Sequence, residues 1–478
     1  MNTTFIADLS ATRLPFPHFW EHTIGSGHAK LGLRTDWQQQ LLRSRRELGF
    51  EHVRFHGILS DGMGTLVDEN NQLIYSFFNA DQIMDFLISI GMAPFVELSF
   101  MPLALSSGPQ TVFNYKGNVT PPKDYKAWKD LIATTVAHWL DRYGIEKVRE
   151  WFFEIWNEPN LASFWTGTRE DYFMLYKNAA EAIRSVHADL QVGGPATASN
   201  AWITEFRDFC EKSNTPYDFI STHHYPTDAF GKPGDDTLTQ LADSQRSILR
   251  DQVTDTRRKA GDTPVYYTEW CTSSNPFDTL HDQPYAAAFI TKTIMEARGQ
   301  VQGYSYWTFS DIFDENYFSS IPFHGGFGLM TIHGIPKPAY RAYELLHRLG
   351  EELLAVEGAH PTVDVWMVKG PSVLHILVTN SVLPRHPVKT EAVRILLDNS
   401  LTIKGAFVER IDDSHANATV AWEAMGKPGY LNSDQVAQLE MVSSLTREVL
   451  AVTTDNGAVR LDIEIPPQGT ALITLETA

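Results

Sequence analysis

The sequence predicts an α/β fold, a (β/α)8 TIM barrel with a C-terminal β-sandwich domain, on three observations. From about residue 15 to about residue 348, short apolar runs alternate with longer stretches of helical period, the form that repeated βα units take in sequence. Eight such runs can be counted, the number that closes a parallel barrel. After Gly350 the pattern changes to two-residue alternation between turn residues, which reads as antiparallel strands.

The eight runs are Phe16 to Ile24, His52 to Ile58, Ala93 to Ser99, Val148 to Trp156, Leu190 to Gly194, Asp218 to His223, Pro264 to Glu269 and Gly303 to Thr308. Between them, Trp37 to Leu48, Ala80 to Ile90, Tyr125 to Tyr143, Glu170 to His187 and Pro284 to Arg298 are amphipathic and would clothe the barrel, several of them closed by Gly. The later strands are expected at Val363 to Val368, Val373 to Val378, Ala392 to Leu397, Val449 to Thr453, Ala458 to Ile465 and Thr470 to Leu475. The predicted division is a catalytic barrel at 15–348 and a sandwich at 349–478, to which residues 1–14 can add a strand. No low-complexity linker separates the two, so they are expected to pack closely.

Composition narrows the function. The 58 acidic residues outnumber the 39 basic ones, and the net charge of -19 repels nucleic acid and anionic membrane surfaces, so neither is an expected partner. Aromatics make up 12% of the chain, more than a core needs, which leaves flat apolar surface for stacking on a ligand. The N-terminus lacks the basic start and apolar run of a secretory signal, so a cytoplasmic location is expected. Cys210 and Cys271 lack the spacing of a zinc or redox site, and Cys271 reads as an ordinary small buried residue.

In a (β/α)8 barrel the chemistry sits where strands end and βα loops begin. The fourth run delivers Asn157 and Glu158 to that rim just before Pro159, and the seventh delivers Glu269. Two carboxyls on one rim are what glycosidic cleavage with retention requires: one protonates the leaving oxygen and the other attacks the anomeric carbon. Neither step needs a cofactor or a metal ion, and none is expected. Glu158 should sit in a poorly hydrated place and Glu269 among cationic or hydrogen-bond donors.

Candidate donors end other runs. Arg54 and His56 share one side of the second run by period-two spacing. Arg54 can keep Glu269 ionised, though it also reads as a structural ion pair under the rim. Tyr225 can hydrogen-bond Glu269, and one of His223 and His224 should face the site. Asn157 is placed to hold a sugar hydroxyl. Trp307 offers a platform for a sugar ring or simply fills the barrel top.

With these residues in place the chain resembles glycoside hydrolase family 39, the family of β-xylosidases and α-L-iduronidases. The resemblance is carried by Val53-Arg-Phe-His56, Met101-Pro-Leu-Ala104 with Thr111-Val-Phe-Asn-Tyr115, Thr120-Pro-Pro-Lys-Asp-Tyr125, Trp156-Asn-Glu-Pro159, Thr268-Glu-Trp270 and Tyr306-Trp-Thr-Phe-Ser-Asp311. It implies that Glu158 is the acid/base and Glu269 the nucleophile, and that His56, Phe113, Asn157, His223, Tyr225 and Trp307 line the sugar subsite. Asp314 and Glu315, after the eighth run, would repel a uronate but accept hydrogen bonds from a neutral sugar. The expectation is therefore a retaining exo-acting β-xylosidase acting on xylo-oligosaccharides or β-xylosides. The alternatives are an iduronidase-like or arabinosidase-type enzyme, or a sugar-binding barrel without activity.

Overall fold

The computed structural model describes residues 3–70, 72–227, 236–315, 320–398, 402–455 and 458–477. A closed barrel of eight parallel strands forms its centre, at Thr23–His28, His52–His56, Ala93–Leu98, Phe152–Ile155, Gln191–Thr197, Phe219–His224, Val265–Trp270 and Gly303–Tyr306. Each strand pairs with its neighbours in sequence, and the eighth closes on the first through Tyr306 and Ile24.

The first strand departs from the expectation of Phe16 to Ile24. Phe16, Phe19 and Trp20 are apolar because they join the barrel's core cluster beside a short 3-10 turn at Phe19–Glu21, not because they are strand. The strand itself, Thr23–His28, is made of small residues and carries little apolar signal. Its glycines have steric reasons: a Cβ on Gly25 would lie 2.7 Å from Trp307 and one on Gly27 3.1 Å from Phe313.

Side chains fill the barrel interior in layers, as the two-residue period of a strand dictates. The lowest layer is an aromatic plug of Phe95, Phe152 and Phe219 packed with Tyr266. Glycines on the intervening strands make room for it, since a Cβ on Gly193 would lie 2.4 Å from Phe219 and one on Gly303 2.5 Å from Tyr266. Two residues further along come Arg54, Glu97, Glu154 and Thr268, each 1% exposed or less. Above them the strands end at the rim.

The helices show the expected signals. Tyr125–Tyr143 is capped by Asp124, Arg169–Val186 opens with a capping box of Thr168 and Asp171, and Thr35–Leu48 stops at Gly49 with φ of 80°. Pro284–Ala297 is unusual because every residue except Glu296 is buried. Such a helix lies between two bodies, and here its second neighbour is the C-terminal sheet at Val373–Asn380 and Gly469–Thr477.

Beyond the barrel, a seven-stranded and a four-stranded sheet enclose a second apolar core that includes Phe5, Met367, Ile376, Ile395, Leu461 and Ile473. Thr3–Asp8 joins the smaller sheet, pairing in parallel with Glu391–Asp398. Sequence reading missed the strand Ile403–Ile411 and two helices, Ala418–Ala424 and Ser433–Ser443. The helices pack Trp422 and Leu439 against Phe323 and Ile335 from the long segment after the eighth strand.

Candidate active site

At the strand ends lies a cavity of about 290 Å3 lined by His56, Phe113, Asn157, Glu158, Tyr225, Glu269, Trp307 and Glu315, together with apolar side chains from the loops. Eight of the eleven residues expected at the site are among them. Arg54 and His223 stand directly behind the wall. Asp314 is not among the lining residues; its side chain is 23% exposed and lies 4.0 Å from His28.

Arg54 organises the floor. It donates from Nε to Glu154 Oε2 at 2.6 Å, from Nη1 to Glu269 Oε1 at 2.8 Å and from Nη2 to Asn157 Oδ1 at 3.1 Å. Nη2 also lies 2.7 Å from Glu97 Oε2. A planar fork of donors suits this task, and all of it is out of water. His56 adds a second cation: burial disfavours its charge, but Glu97 at 2.6 Å prevails and raises the imidazole to about 9.

Glu269 receives Arg54 on one oxygen and the Tyr225 hydroxyl on the other, at 2.9 Å. Glu158 has a different setting. Burial pushes its carboxyl up to about 7, against the opposing pull of His56 and Arg54. Its Oε1 faces His223 Nδ1 at 2.9 Å, and burial lowers that imidazole to about 4. His223 is therefore the member of the pair that faces the site, while His224 turns away to Tyr304 at 2.7 Å.

Local backbone brings these groups together. Trp156 and Glu158 both hold positive φ, 74° and 43°, a conformation that side-chain-bearing residues adopt at a cost and that clusters at functional sites. On the seventh strand the pairing register shifts between Thr222 and His223, so that the consecutive residues Thr268 and Glu269 both address the interior. A bulge re-aims side chains in this way.

Sequence reading missed several members. Glu97 and Glu154 lie inside apolar runs, and the two-residue period that selected Arg54 and His56 would have pointed to them as well. Leu161, Phe164, Phe313 and Phe327 line the cavity from loops, where periodicity gives no signal. Cys271 is buried, as its reading as a small buried residue expects, and it also has an imidazole beside it. Its thiol lies 3.7 Å from His281 Nε2, which holds it below its ordinary value although burial acts the other way.

Among the described residues, two trios place ligand-type atoms within 4.8 Å of one another: Glu158, His223 and Glu269 in the cavity, and His18, Glu21 and His347 below the barrel. The second is already tied together by hydrogen bonds, with both imidazoles on Glu21 Oε1 at 2.6 and 2.9 Å. The first has the chemistry of a paired acid and base. No helix among the described residues is long and apolar enough to cross a membrane.

Comparison with known proteins agrees with this geometry. The model of glycosyl hydrolases family 39 matches residues 6–460. The chain is 47% identical to a β-xylosidase of Caldicellulosiruptor saccharolyticus, over 96% of this chain and 95% of that one. It is 36% identical to a β-xylosidase of Geobacillus stearothermophilus, over 97% and 94%. A crystal structure of a monomeric β-xylosidase from Caulobacter crescentus superposes with a TM-score of 0.88 at 34% identity, covering 99% of both chains. The chain belongs to family 39 of the glycosyl hydrolases.

Proposed function

We propose that this protein is a retaining, exo-acting β-xylosidase in which Glu158 is the general acid/base and Glu269 the nucleophile. The observation that carries the assignment is the contrast between two carboxyls whose oxygens lie within 4.8 Å of each other. Glu158 is held up at about 7 by burial, while Glu269 accepts from Arg54 and Tyr225. The close approach suits double displacement, in which carboxyls stand roughly 5 to 5.5 Å apart, and leaves no room for the water of an inverting site.

In the first step Glu269 attacks C1 of the terminal xylose, the bond from C1 to the leaving oxygen breaks, and Glu158 gives that oxygen its proton. In the second, Glu158 takes a proton from water, the resulting hydroxide attacks C1, and Glu269 is released. The product keeps the β configuration. Asn157, held at Oδ1 by Arg54, offers its amide N–H groups to a sugar hydroxyl, and Trp307 packs 4.8 Å from His56 as a wall for the ring.

The neutral pentose rests on charge. Among the described residues no lysine lines the cavity, and Arg54 is engaged by carboxylates, so a uronate would find no free lysine or arginine to pair with. The β-xylosidase activity of the relatives supports the same choice. We also read residues 15–348 as the catalytic barrel, and residues 349–478 with the N-terminal segment as a β-sandwich accessory domain.

The decisive experiment is hydrolysis of aryl β-xylosides with the product anomer followed by NMR. β-Xylose should appear first, and Glu158→Ala should keep turnover of dinitrophenyl xyloside and form β-xylosyl azide when azide is added. An α-anomer as first product would remove Glu269 from its role. Preference for an aryl iduronide would overturn the substrate.

A further inference from the structure

Thr268 is not among the residues that line the cavity, yet it sits between two of the site's buried networks. Its hydroxyl donates to Glu154 Oε1 at 2.8 Å, and the same oxygen lies 3.1 Å from His223 Nε2. We propose that Thr268 is a positioning residue that fixes the tautomer of His223 and thereby keeps the resting proton on Glu158. The proposal rests on the reading of Glu158 as acid/base and adds to it how the fold sets that protonation state.

The direction of each hydrogen bond follows by elimination. Glu154 accepts on both oxygens, the Nε–H of Arg54 on Oε2 at 2.6 Å and the Thr268 hydroxyl on Oε1 at 2.8 Å. A hydroxyl has one proton, and Thr268 gives it to Glu154. Toward His223 the Thr268 oxygen therefore only accepts, so the hydrogen of the ring is on Nε2. A neutral imidazole then has a bare lone pair on Nδ1, which faces Glu158 Oε1 at 2.9 Å. Two lone pairs at that distance repel, and the contact becomes a hydrogen bond when Glu158 holds a proton and donates it. Every member thus donates toward Arg54: Glu158 to His223, His223 to Thr268, Thr268 to Glu154. The burial that keeps His223 uncharged agrees with this order.

The arrangement serves both halves of the cycle. In the resting site the proton of Glu158 is held by Nδ1; with a glycoside present the O–H turns to the leaving oxygen. Once Glu158 has given the proton away, its carboxylate faces a lone pair and no donor on His223, which makes it a stronger base toward the incoming water. The other charged or titratable groups around the pair are Arg54 and His56 on the second strand, Glu97 on the third, Glu154 on the fourth, Tyr225 and His224 after and beside His223, and Glu269 with Oε2 3.6 Å from His223 Nδ1. Of these, Glu154 is the one that hydrogen-bonds Thr268 and would lose that contact when Thr268 is changed.

The test uses the full chain and three forms of it. In the wild type, nitrogen-15 NMR of His223 should show hydrogen on Nε2. Thr268→Val keeps the shape but removes both roles of the hydroxyl, so His223 is free to carry hydrogen on Nδ1 and donate to the Glu158 carboxylate. The basic limb of kcat/KM against pH for xylobiose should then move about one pH unit toward acid. Turnover of dinitrophenyl xyloside, which needs little protonation, should change far less. Thr268→Ser should restore the wild-type limb. An Nδ1–H tautomer in the wild type overturns the proposal, and that readout stands even if the valine variant fails to fold. A valine variant that loses thermal stability but keeps the same basic limb overturns it too. If Glu158→Gln instead kept full activity on xylobiose, the acid assignment would fall, and the tautomer measurement keeps that failure distinct.

Discussion

At the scale of single residues, the site works by giving like groups unlike surroundings. Glu158 is raised to about 7 by burial, so activity on substrates with poor leaving groups should fall as pH rises through about 7, while dinitrophenyl xyloside holds its rate further into base. A profile whose basic limb is the same for both substrates would contradict this. His56 yields a stability prediction of definite sign. Its pairing with Glu97 overcomes burial and raises it from 6.5 to about 9. Its contribution to stability is complete below pH 6.5 and is lost as pH climbs through about 9. The melting temperature of the wild type should drop across that window, and by less in His56→Gln.

The residue scale also marks how far the sequence was legible. Glu158, Glu269, Arg54 and Asn157 could be found because they end or nearly end apolar runs, where a polar residue has no packing reason to be. That signal was weaker for Glu97 and Glu154, which sit within such runs among aromatic residues. The bulge on the seventh strand was beyond sequence reading: strict alternation would send Thr268 and Glu269 to opposite faces, and only the register shift brings both inside. Asp314 and Glu315 are adjacent and chemically alike, yet only Glu315 reaches the cavity.

At the scale of elements, small residues and one buried cation do the positioning. Gly193→Ala would drive a methyl group into Phe219, and overpacking of this kind costs about 1 to 3 kcal/mol, which thermal or urea unfolding would measure. Lys337 is fully buried and holds Asp282 and Asp311, each at 2.7 Å, and its ammonium also donates to Gly326 O at 2.9 Å. Those aspartates in turn accept from Gly325 and Gly328, so the segment presenting Phe327 to the cavity is fixed from below. Lys337→Met should cost about 3 to 5 kcal/mol because it strands two buried carboxylates, and it should raise KM more than it lowers kcat. An unchanged KM would show that the segment is held by other contacts. The first strand was misplaced in the sequence for a related reason: its small residues are chosen for closeness to Trp307 and Phe313, and so they lack the apolar signature that marks the others.

At the scale of the whole molecule, the barrel and the C-terminal sheets share surfaces that neither part covers alone. Pro284–Ala297 is apolar on both sides, and Arg246 donates across to Ser381 O at 2.8 Å and Thr362 O at 2.7 Å beside Asp364. The full chain should therefore unfold in one calorimetric transition, and Arg246→Ala should lower it without splitting it; two resolved transitions would show that the bodies are independent. The change in sequence pattern near Gly350 suggests a boundary but gives no sign of this shared helix, because a helix buried on both sides and a helix buried on one differ only in the few residues of the second face.

The aromatic plug carries one further consequence. Phe95, Phe152, Phe219 and Tyr266 fill the lower end of the barrel under an ionic layer, so among the described residues the cavity has no way through the barrel and opens on the rim side. Whatever enters must leave by the same way, so the severed aglycone has to depart before water and then free xylose can take their turns. A polymer has no path along which to slide, and each cut must end in complete release. Xylose itself, leaving on the side where substrate enters, should act as a competitive product inhibitor.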